Sequence, residues 1–412
     1  MPRGIYECLN CGNREVIDSN EPLIENACPK CGGDMILVGF EGKRPVVGLS
    51  SPAALPAEVE ERIRNFYDVR PLGMEGSVFV FEVLEIRERN FERVLRELEE
   101  LGYWAALKRR DGKVLLYVFP AGKVKPDNPW LPWVFLILTM ITTFLAGYWL
   151  SMSYISLLDE YSLPGMRNPY LMALAFSVSV MGILGTHEMG HKIAAAYHGV
   201  RATMPYFIPF PSLIGTLGAV IRVKSPLPTR NAAIDLGVSG PIAGFLVAVP
   251  VSLIGLKLSV PIPANLVPQE GGITFGENLL FILIGKYLMP FPEDAVVFLH
   301  PVAIAGWVGI LVTFLNLIPA AQLDGGHIAR AFLPEKVHRY LTIAIGLILI
   351  GMSYLWTGWL LWGLLILFMG MAGNPGALDE VSPVSKSRIV LTVIAVILFI
   401  LSATPVPISA SG

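Results

Sequence analysis

Residues 168–191 read NPYLMALAFSVSVMGILGTHEMGH, a run with no Asp, Glu, Lys or Arg before Glu188. An α-helix rises about 1.5 Å per residue, so about 20 apolar residues cross the hydrocarbon core of a bilayer. The apolar part of this run has that length and predicts a membrane-spanning helix. A glutamate and two histidines then follow in the same helix, where ionisable side chains are costly and usually mark a functional site.

The composition extends this prediction to most of the chain. Of its 412 residues 53% are hydrophobic and 16% are charged, and the mean hydropathy is +0.58. Residues 1–128 hold 18 Lys/Arg and 21 Asp/Glu, whereas residues 129–412 hold 13 and 12. These values predict a charged soluble head followed by a membrane body. A net charge of -2 provides no basic surface of the kind that nucleic-acid binders use, so no nucleic-acid partner is expected.

The membrane body is predicted to cross the bilayer about seven times. Residues 275–289 are too short for a span and are predicted to be re-entrant or interfacial. The loops on the side of the head carry nine Lys/Arg and the opposite loops three, which places the head in the cytoplasm. No signal peptide is predicted, and the expected location is the cell membrane with cytoplasmic N-terminal domains. The predicted spans are 130–153, 168–198, 231–257, 297–319, 340–356, 359–373 and 389–403.

The four cysteines form two Cys-x-x-Cys pairs, Cys8 with Cys11 and Cys28 with Cys31. Two pairs of this spacing can place four thiolates around one Zn²⁺, which predicts a zinc ribbon over residues 1–45. So small a segment has little core, so this zinc is expected to be structural. The alternative is two disulfides, because the scarcity of glutamine hints at a heat-adapted source, where cytosolic disulfides occur.

Residues 46–125 are predicted to form a small α/β cytoplasmic domain. Helical spacing covers 58–67 and 90–101, and strand patterns cover 77–84, 104–108 and 113–119. The charge run at 85–100 favours a solvated helix face over a binding site. The third predicted domain is the membrane body, residues 126–412.

Chemistry is indicated first by His187, Glu188 and His191. Residues four apart lie on the same face of a helix, so the two histidines can bind one Zn²⁺, with Glu188 beside them as general base for the attacking water. The alternative is a polar patch buried for packing or for proton transfer.

A second motif, NLIPAAQLDGGH at residues 316–327, lies near the inner end of the fourth span. Pro319 and the two glycines must interrupt the helix, and irregular backbone at membrane depth is tolerated only in protein or beside a wet cavity. Asp324 can supply a third ligand and leave a fourth position open. His327, three residues later, is chemically an alternative third ligand.

These two motifs together resemble the site-2 protease family of intramembrane zinc metalloproteases. The His-Glu-x-x-His and Asn-x-x-Pro-x-x-x-x-Asp-Gly patterns match in the family's order, within a predicted catalytic core of residues 168–333. The resemblance implies that His187, His191 and Asp324 bind zinc and that Glu188 is the base. It also implies that Asn316 orients the substrate or stabilises the intermediate, and that the substrates are membrane-spanning helices.

Residues 204–228 read MPYFIPFPSLIGTLGAVIRVKSPLP and resemble the branch that includes plant chloroplast members linked to ethylene-dependent gravitropism. Gly215 and Gly218 fit a tight hairpin dipping into the bilayer, whose strand edge could pair with an unwound substrate. The alternative is a plain amphipathic loop.

Several other polar residues favour structural roles. His198, His300 and His338 are predicted to be boundary residues at helix ends or loops, and Asp235 a helix-start charge. Gly237, Gly240 and Gly244 most simply let neighbouring helices approach closely.

The predicted function is hydrolysis of peptide bonds within transmembrane segments. The alternatives are a metal-ion or proton-coupled transporter built on the same cluster and an inactive receptor. The predicted cofactors are one catalytic and one structural zinc. The predicted partners are transmembrane-segment proteins and the lipid bilayer, with a homo-oligomer left open.

Overall fold

The computed structural model describes residues 4–8, 14–17, 30–31, 35–40, 55–122, 126–266, 273–289, 291–292 and 294–410. The chain divides into two compact units, Met1–Glu61 and Arg62–Gly412.

In the first unit, three antiparallel strands form a small sheet. They are β1 (Gly4–Cys8), β2 (Arg14–Ile17) and β3 (Met35–Phe40), in the order β2-β1-β3. Cys8 ends β1 and Cys31 lies in a turn, whereas Cys11 and Cys28 lie outside the described residues. The zinc ribbon therefore remains a prediction.

Residues 57–120 contain the predicted α/β elements. They are α1 (Ala57–Phe66), β4 (Tyr67–Glu75), β5 (Val78–Ile86), α2 (Phe91–Glu100), β6 (Tyr103–Arg110) and β7 (Lys113–Pro120). The two helices and three strands predicted from the pattern are confirmed, and β4 is an additional strand. In α2, Phe91, Val94 and Leu98 are buried one turn apart, which is why this short helix packs by a single face.

Two strands from the membrane body extend this sheet. They are β10 (Leu227–Thr229) and β14 (Ala377–Asp379), and the six strands follow the order β10-β14-β6-β7-β5-β4. β14 pairs in parallel with β6 through Asp379 and Leu107, and with β10 on its other side. The sheet therefore joins residues that the sequence analysis assigned to two different domains. Strands of three residues carry too short a pattern to be recognised from sequence.

Four helices among the described residues are long and apolar enough to cross a membrane. They are α3 (Leu131–Glu160), α4 (Pro169–Tyr197), α5 (Arg230–Leu258) and α9 (Glu335–Gly351), the last extended by a 3₁₀ turn to Tyr354. The other three predicted spans contain shorter helices, α7 (Pro301–Asn316), α10 (Gly358–Met371) and α11 (Lys386–Ser402). The count of seven spans thus remains a prediction.

The remaining described elements are short. They are β8 (Tyr206–Pro209), β9 (Thr216–Val220), β11 (Val260–Pro263), β12 (Ile273–Phe275), α6 (Leu279–Tyr287), β13 (Ala295–Phe298), α8 (Asp324–Phe332) and β15 (Ile408–Ala410). β8 and β9 pair as an antiparallel hairpin, as residues 204–228 predicted. Gly215 has φ +85° and packs so closely on α3 that a Cβ there would lie 2.5 Å from the Thr142 carbonyl oxygen. Only glycine tolerates both a positive φ and a neighbouring backbone atom this close.

Small residues let α5 pack closely between α4 and α7. A Cβ on Gly255 would lie 2.2 Å from the Ala303 nitrogen, and one on Gly306 would lie 2.4 Å from Ser252 Oγ. Close backbone approach is how helices associate in a bilayer, where lipid is as apolar as leucine. The outer face of α3 instead exposes large apolar side chains such as Ile137 and Leu145, as a lipid-facing helix does. The arrangement brings the polar residues of α4 into the middle of the bundle.

Candidate active site

The two histidines of α4 face each other at the centre of the bundle. His187 and His191 are 3% and 6% exposed, and their Nε2 atoms lie 3.1 Å apart. The i, i+4 spacing puts them on one helix face, as the sequence predicted.

Asp324 approaches both histidines from α8. Its Oδ2 atom lies 3.3 Å from Nε2 of His187 and 3.3 Å from Nε2 of His191. Three ligands of a tetrahedral zinc ion, with bonds of about 2.0–2.1 Å, stand about 3.3 Å from one another. The three atoms therefore form a triangle of the size that one such ion requires.

The chemistry of the three atoms also fits a cation. Asp324 Oδ2 is buried and has no geometrically sound hydrogen bond within the described part of the chain. His191 Nδ1 lies 2.7 Å from the carbonyl oxygen of Leu236, which can only accept, so Nδ1 carries the hydrogen in the neutral ring. Nε2 then presents a lone pair to the triangle. A carbonyl that orients a histidine in this way is a common feature of metal sites.

An irregular segment between α7 and α8 positions Asp324. α7 ends at Asn316, and Ala321 adopts φ +51° before α8 begins. A Cβ on Gly325 would lie 2.1 Å from the Leu317 carbonyl oxygen, so glycine is required for this return of the chain. The interruption that Pro319 and the glycines predicted is confirmed.

Two residues that the sequence analysis did not single out hold this segment. Thr342 Oγ1 accepts a hydrogen bond of 3.0 Å from the Ala321 nitrogen, and Asn374 Nδ2 donates one of 3.2 Å to the Ala321 oxygen. Buried backbone polar groups need such partners. Of the two, only Asn374 could have been noticed in the sequence, as an isolated asparagine directly after the sixth predicted span.

Glycines of α5 make room for the histidine rings. A Cβ on Gly240 would lie 2.1 Å from His191 Nε2, and one on Gly244 would lie 3.1 Å from His187 Cβ. The close helix approach predicted for these glycines is confirmed, and the structure adds that His191 occupies the space that Gly240 leaves.

We expect Gly240→Ala to weaken zinc binding by about 10–100-fold or more, because its methyl group displaces the ring of His191. Losses of this size are typical when a residue that orients a metal ligand is changed. Competition with a fluorescent zinc chelator measures this change. Gly182→Ala in α4, where an added Cβ meets nothing within 4 Å, is the control and should keep near-normal affinity. Equal affinities in the wild type and both variants would contradict the clash.

Glu188 and Asn316 border the triangle. Glu188 is 6% exposed, and a ligand atom from each of Glu188, His187 and His191 lies within 4.8 Å of the others. Asn316 Nδ2 lies 3.3 Å from His187 Nε2. The hairpin strand β9 packs against α4, the helix that carries Glu188. The structure thus brings together the predicted base, the predicted asparagine and the hairpin.

His327 lies three residues after Asp324 in α8. Its Nδ1 is 3.5 Å from Asn374 Nδ2. Within the described part of the chain, no hydrogen bond or ion pair joins His327 to either histidine of α4, whereas Asp324 contacts both. The geometry therefore favours Asp324 over His327 as the third ligand.

The other predicted boundary residues lie where the sequence placed them, at or near helix ends. His300 precedes α7 and caps it through Nδ1, His338 lies in the first turn of α9, and His198 follows α4. His198 has a further role that its position did not indicate. Its Nδ1 lies 2.7 Å from Glu92 of α2, and its Nε2 lies 2.8 Å from Asp235 of α5.

Asp235 in turn accepts hydrogen bonds of 2.7 to 3.1 Å from the guanidinium of Arg388. Burial alone raises the pKa of the Glu92 carboxyl, but the hydrogen bond and charge of His198 lower it below its ordinary value overall. The charge run at 85–100 is therefore not a fully solvated face, because Glu92 and Glu99 pair with His198 and Arg201. These pairs join α2 to the membrane helices.

The cluster of two histidines, a glutamate and an aspartate has the composition of a metallopeptidase site in a membrane protein. Residues 175–356 match the model of Peptidase family M50. The resemblance that the two motifs predicted is thereby confirmed.

Two relatives illustrate the similarity. The chain is 34% identical over 241 residues to the probable zinc metalloprotease EGY1, chloroplastic, of Arabidopsis thaliana, covering 57% of this chain and 43% of that protein. It is 28% identical over 320 residues to the probable zinc metalloprotease EGY2, chloroplastic, of the same plant, covering 73% and 54%. The chain thus spans about half the length of these relatives.

Among solved structures, the site-2 protease from Methanocaldococcus jannaschii is 16% identical, with a TM-score of 0.30. The match covers 57% of this chain and 92% of that one. The similarity to Peptidase family M50 rests on the sequence matches.

Proposed function

We propose that this protein is an intramembrane zinc metalloprotease that hydrolyses peptide bonds within transmembrane segments of other proteins. The observation that carries the proposal is the buried triangle of His187, His191 and Asp324, with Glu188 beside it, among helices long and apolar enough to cross a membrane. The M50 match and the zinc metalloprotease names of the relatives support the same activity.

His187, His191 and Asp324 would hold the catalytic zinc. When bound, zinc supplies a Lewis acid that polarises the attacking water and the scissile carbonyl. Glu188 accepts a proton from that water as its oxygen bonds to the carbonyl carbon. It then returns the proton to the amide nitrogen, which leaves as an amine when the carbon–nitrogen bond breaks.

Asn316 stands beside this reaction centre. Its amide lies 3.3 Å from His187 Nε2, so it can hold the substrate carbonyl in place by a hydrogen bond or stabilise the intermediate.

The β8–β9 hairpin is proposed to receive the substrate. The two strands pair with each other in a two-stranded sheet, and β9 packs against α4, the helix that carries Glu188. A substrate helix must unwind before water can attack its peptide bond, and an open strand edge can pair with the unwound segment. Leu217, which is 64% exposed on β9, provides apolar contact for a segment arriving from lipid.

The further assignments complete the proposal. The protein lies in a membrane, and we place it in the cell membrane with residues 1–125 cytoplasmic, because the loops on that side carry the excess of Lys/Arg. Cys8, Cys11, Cys28 and Cys31 would hold the structural zinc of the ribbon. The transporter alternative finds no support in the comparisons.

The experiment that tests the proposal uses the full chain in lipid vesicles with a panel of single-span substrate proteins. We expect the zinc-loaded protein to cleave at least one of them within its span, a chelator to stop cleavage, and added zinc to restore it. Zinc content is measured in each state. Zinc moving across the vesicle membrane without any cleavage would replace this proposal by the transporter.

A further inference from the structure

A polar cavity separate from the candidate active site lies between α2 and the ends of the membrane helices. Its volume is about 240 Å³, and its lining includes three arginines, Arg89, Arg230 and Arg388. None of its lining residues belongs to the candidate active site. At about 30 Å³ per water, this space holds about eight waters or a small polar molecule.

The lining favours an anion. Among the described residues, neither Arg89 nor Arg230 has a carboxylate within salt-bridge distance, whereas Arg388 pairs with Asp235. α2 begins at Phe91 and α5 at Arg230, and both residues line the cavity. Helix N-termini carry partial positive charge and bind phosphate groups, and guanidinium groups bind them with paired hydrogen bonds. Of the two acids in the lining, Glu92 and Asp379, Glu92 is already paired with His198.

A buried carboxylate oxygen points to a second feature of the ligand. Asp379 is 1% exposed and lines the same cavity. Its Oδ1 accepts hydrogen bonds of 2.8 Å and 2.9 Å from the backbone of Val381 and Ser382. Its Oδ2 has no hydrogen-bond partner in the part of the chain that the structure describes. An unsatisfied buried carboxylate oxygen is costly, so a ligand with an N–H or O–H group would stabilise this site.

The cavity lies at the ends of helices that are long and apolar enough to cross a membrane. Tyr197, at the end of α4, lines it and is 75% exposed. Aromatic residues at helix ends are typical of the membrane–water interface. The N-terminal ends of α5 and α11 lie at the same place, since Arg230 and Arg388 both line the cavity.

We propose that this cavity binds a phosphate group linked to an amine, as in phosphoethanolamine. The phosphate contacts Arg89, Arg230 and the N-terminus of α2, and the ammonium group donates to Asp379 Oδ2. A phosphatidylethanolamine headgroup and a free phosphoethanolamine share this chemistry. Bound there, the ligand holds α2 against the membrane helices.

Thermal unfolding of the full-length protein in detergent tests the chemistry. We expect O-phosphoethanolamine, at about a hundredfold excess over Kd, to raise Tm by at least about 2 °C. O-phosphocholine, which lacks N–H donors, should raise it less. Asp379→Asn should remove the difference between the two compounds, and Arg89→Gln, which alters an exposed side chain, should weaken the response to both. No shift with either compound, or equal shifts in the wild type, would overturn the proposal.

Lipid retention distinguishes the two sources. The wild type and Arg89→Gln are reconstituted in vesicles of mixed phosphatidylethanolamine and phosphatidylcholine, and the lipids that remain bound after detergent extraction are quantified. Enrichment of phosphatidylethanolamine in the wild type, reduced in the variant, identifies the lipid. A Tm shift without enrichment identifies the free phosphomonoester. Neither readout measures proteolysis, so failure here leaves the proposed function untouched.

Discussion

Glu188→Gln should abolish cleavage of a single-span substrate in lipid vesicles while the protein keeps its catalytic zinc. The substitution preserves the size of the side chain and removes its ability to accept and return a proton, which is worth about 10²–10⁴-fold in rate. Glu188 is buried beside His187 and His191, where it is close enough to take a proton from water at this site. Initial rates are measured with zinc quantified in the same samples.

The matched control is Glu335→Gln, at an exposed glutamate in the first turn of α9, which should leave cleavage and zinc content unchanged. Cleavage by Glu188→Gln at the wild-type rate would exclude the base assignment. Loss of zinc together with activity would make Glu188 a ligand instead.

Asp324→Asn should lose both zinc and cleavage, whereas His327→Ala should keep both. Asp324 Oδ2 lies 3.3 Å from each histidine Nε2, and a neutral amide removes the only negative charge of the triangle. His327 instead lies beside Asn374. We expect Asp324→Asn to lower the zinc affinity by at least about 100-fold. This is the upper end of the loss seen when residues that orient metal ligands are changed.

Zinc content after dialysis against a graded chelator, followed by the vesicle cleavage assay, measures both variants. The reverse result, with His327→Ala losing zinc and Asp324→Asn retaining it, would assign the third ligand to His327. Normal thermal unfolding of both zinc-free proteins confirms that neither change acts through the fold.

The head and the membrane body are less separable than their composition indicates. β14 pairs with β6, and His198 contacts both Glu92 and Asp235. Asp235 precedes Leu236, whose carbonyl oxygen orients His191. A contiguous set of contacts therefore runs from α2 to a predicted zinc ligand. Deletion of residues 1–125 would remove β6, one of the two strands that pair with β14. Point variants such as Glu92→Gln are therefore the better probes of the head.

The sequence by itself determined the membrane class, the helical spacing of His187 and His191 and the break in the chain before Asp324. These features are local, because helix periodicity and the backbone limits of proline and glycine act over a few residues. The approach of Asp324 to both histidines, the space that Gly240 leaves for His191 and the pairing of β14 with β6 were decided only by the tertiary structure. Each depends on the packing of elements distant in the chain, and no local pattern encodes which side chain a neighbouring helix brings to within 3.3 Å of another.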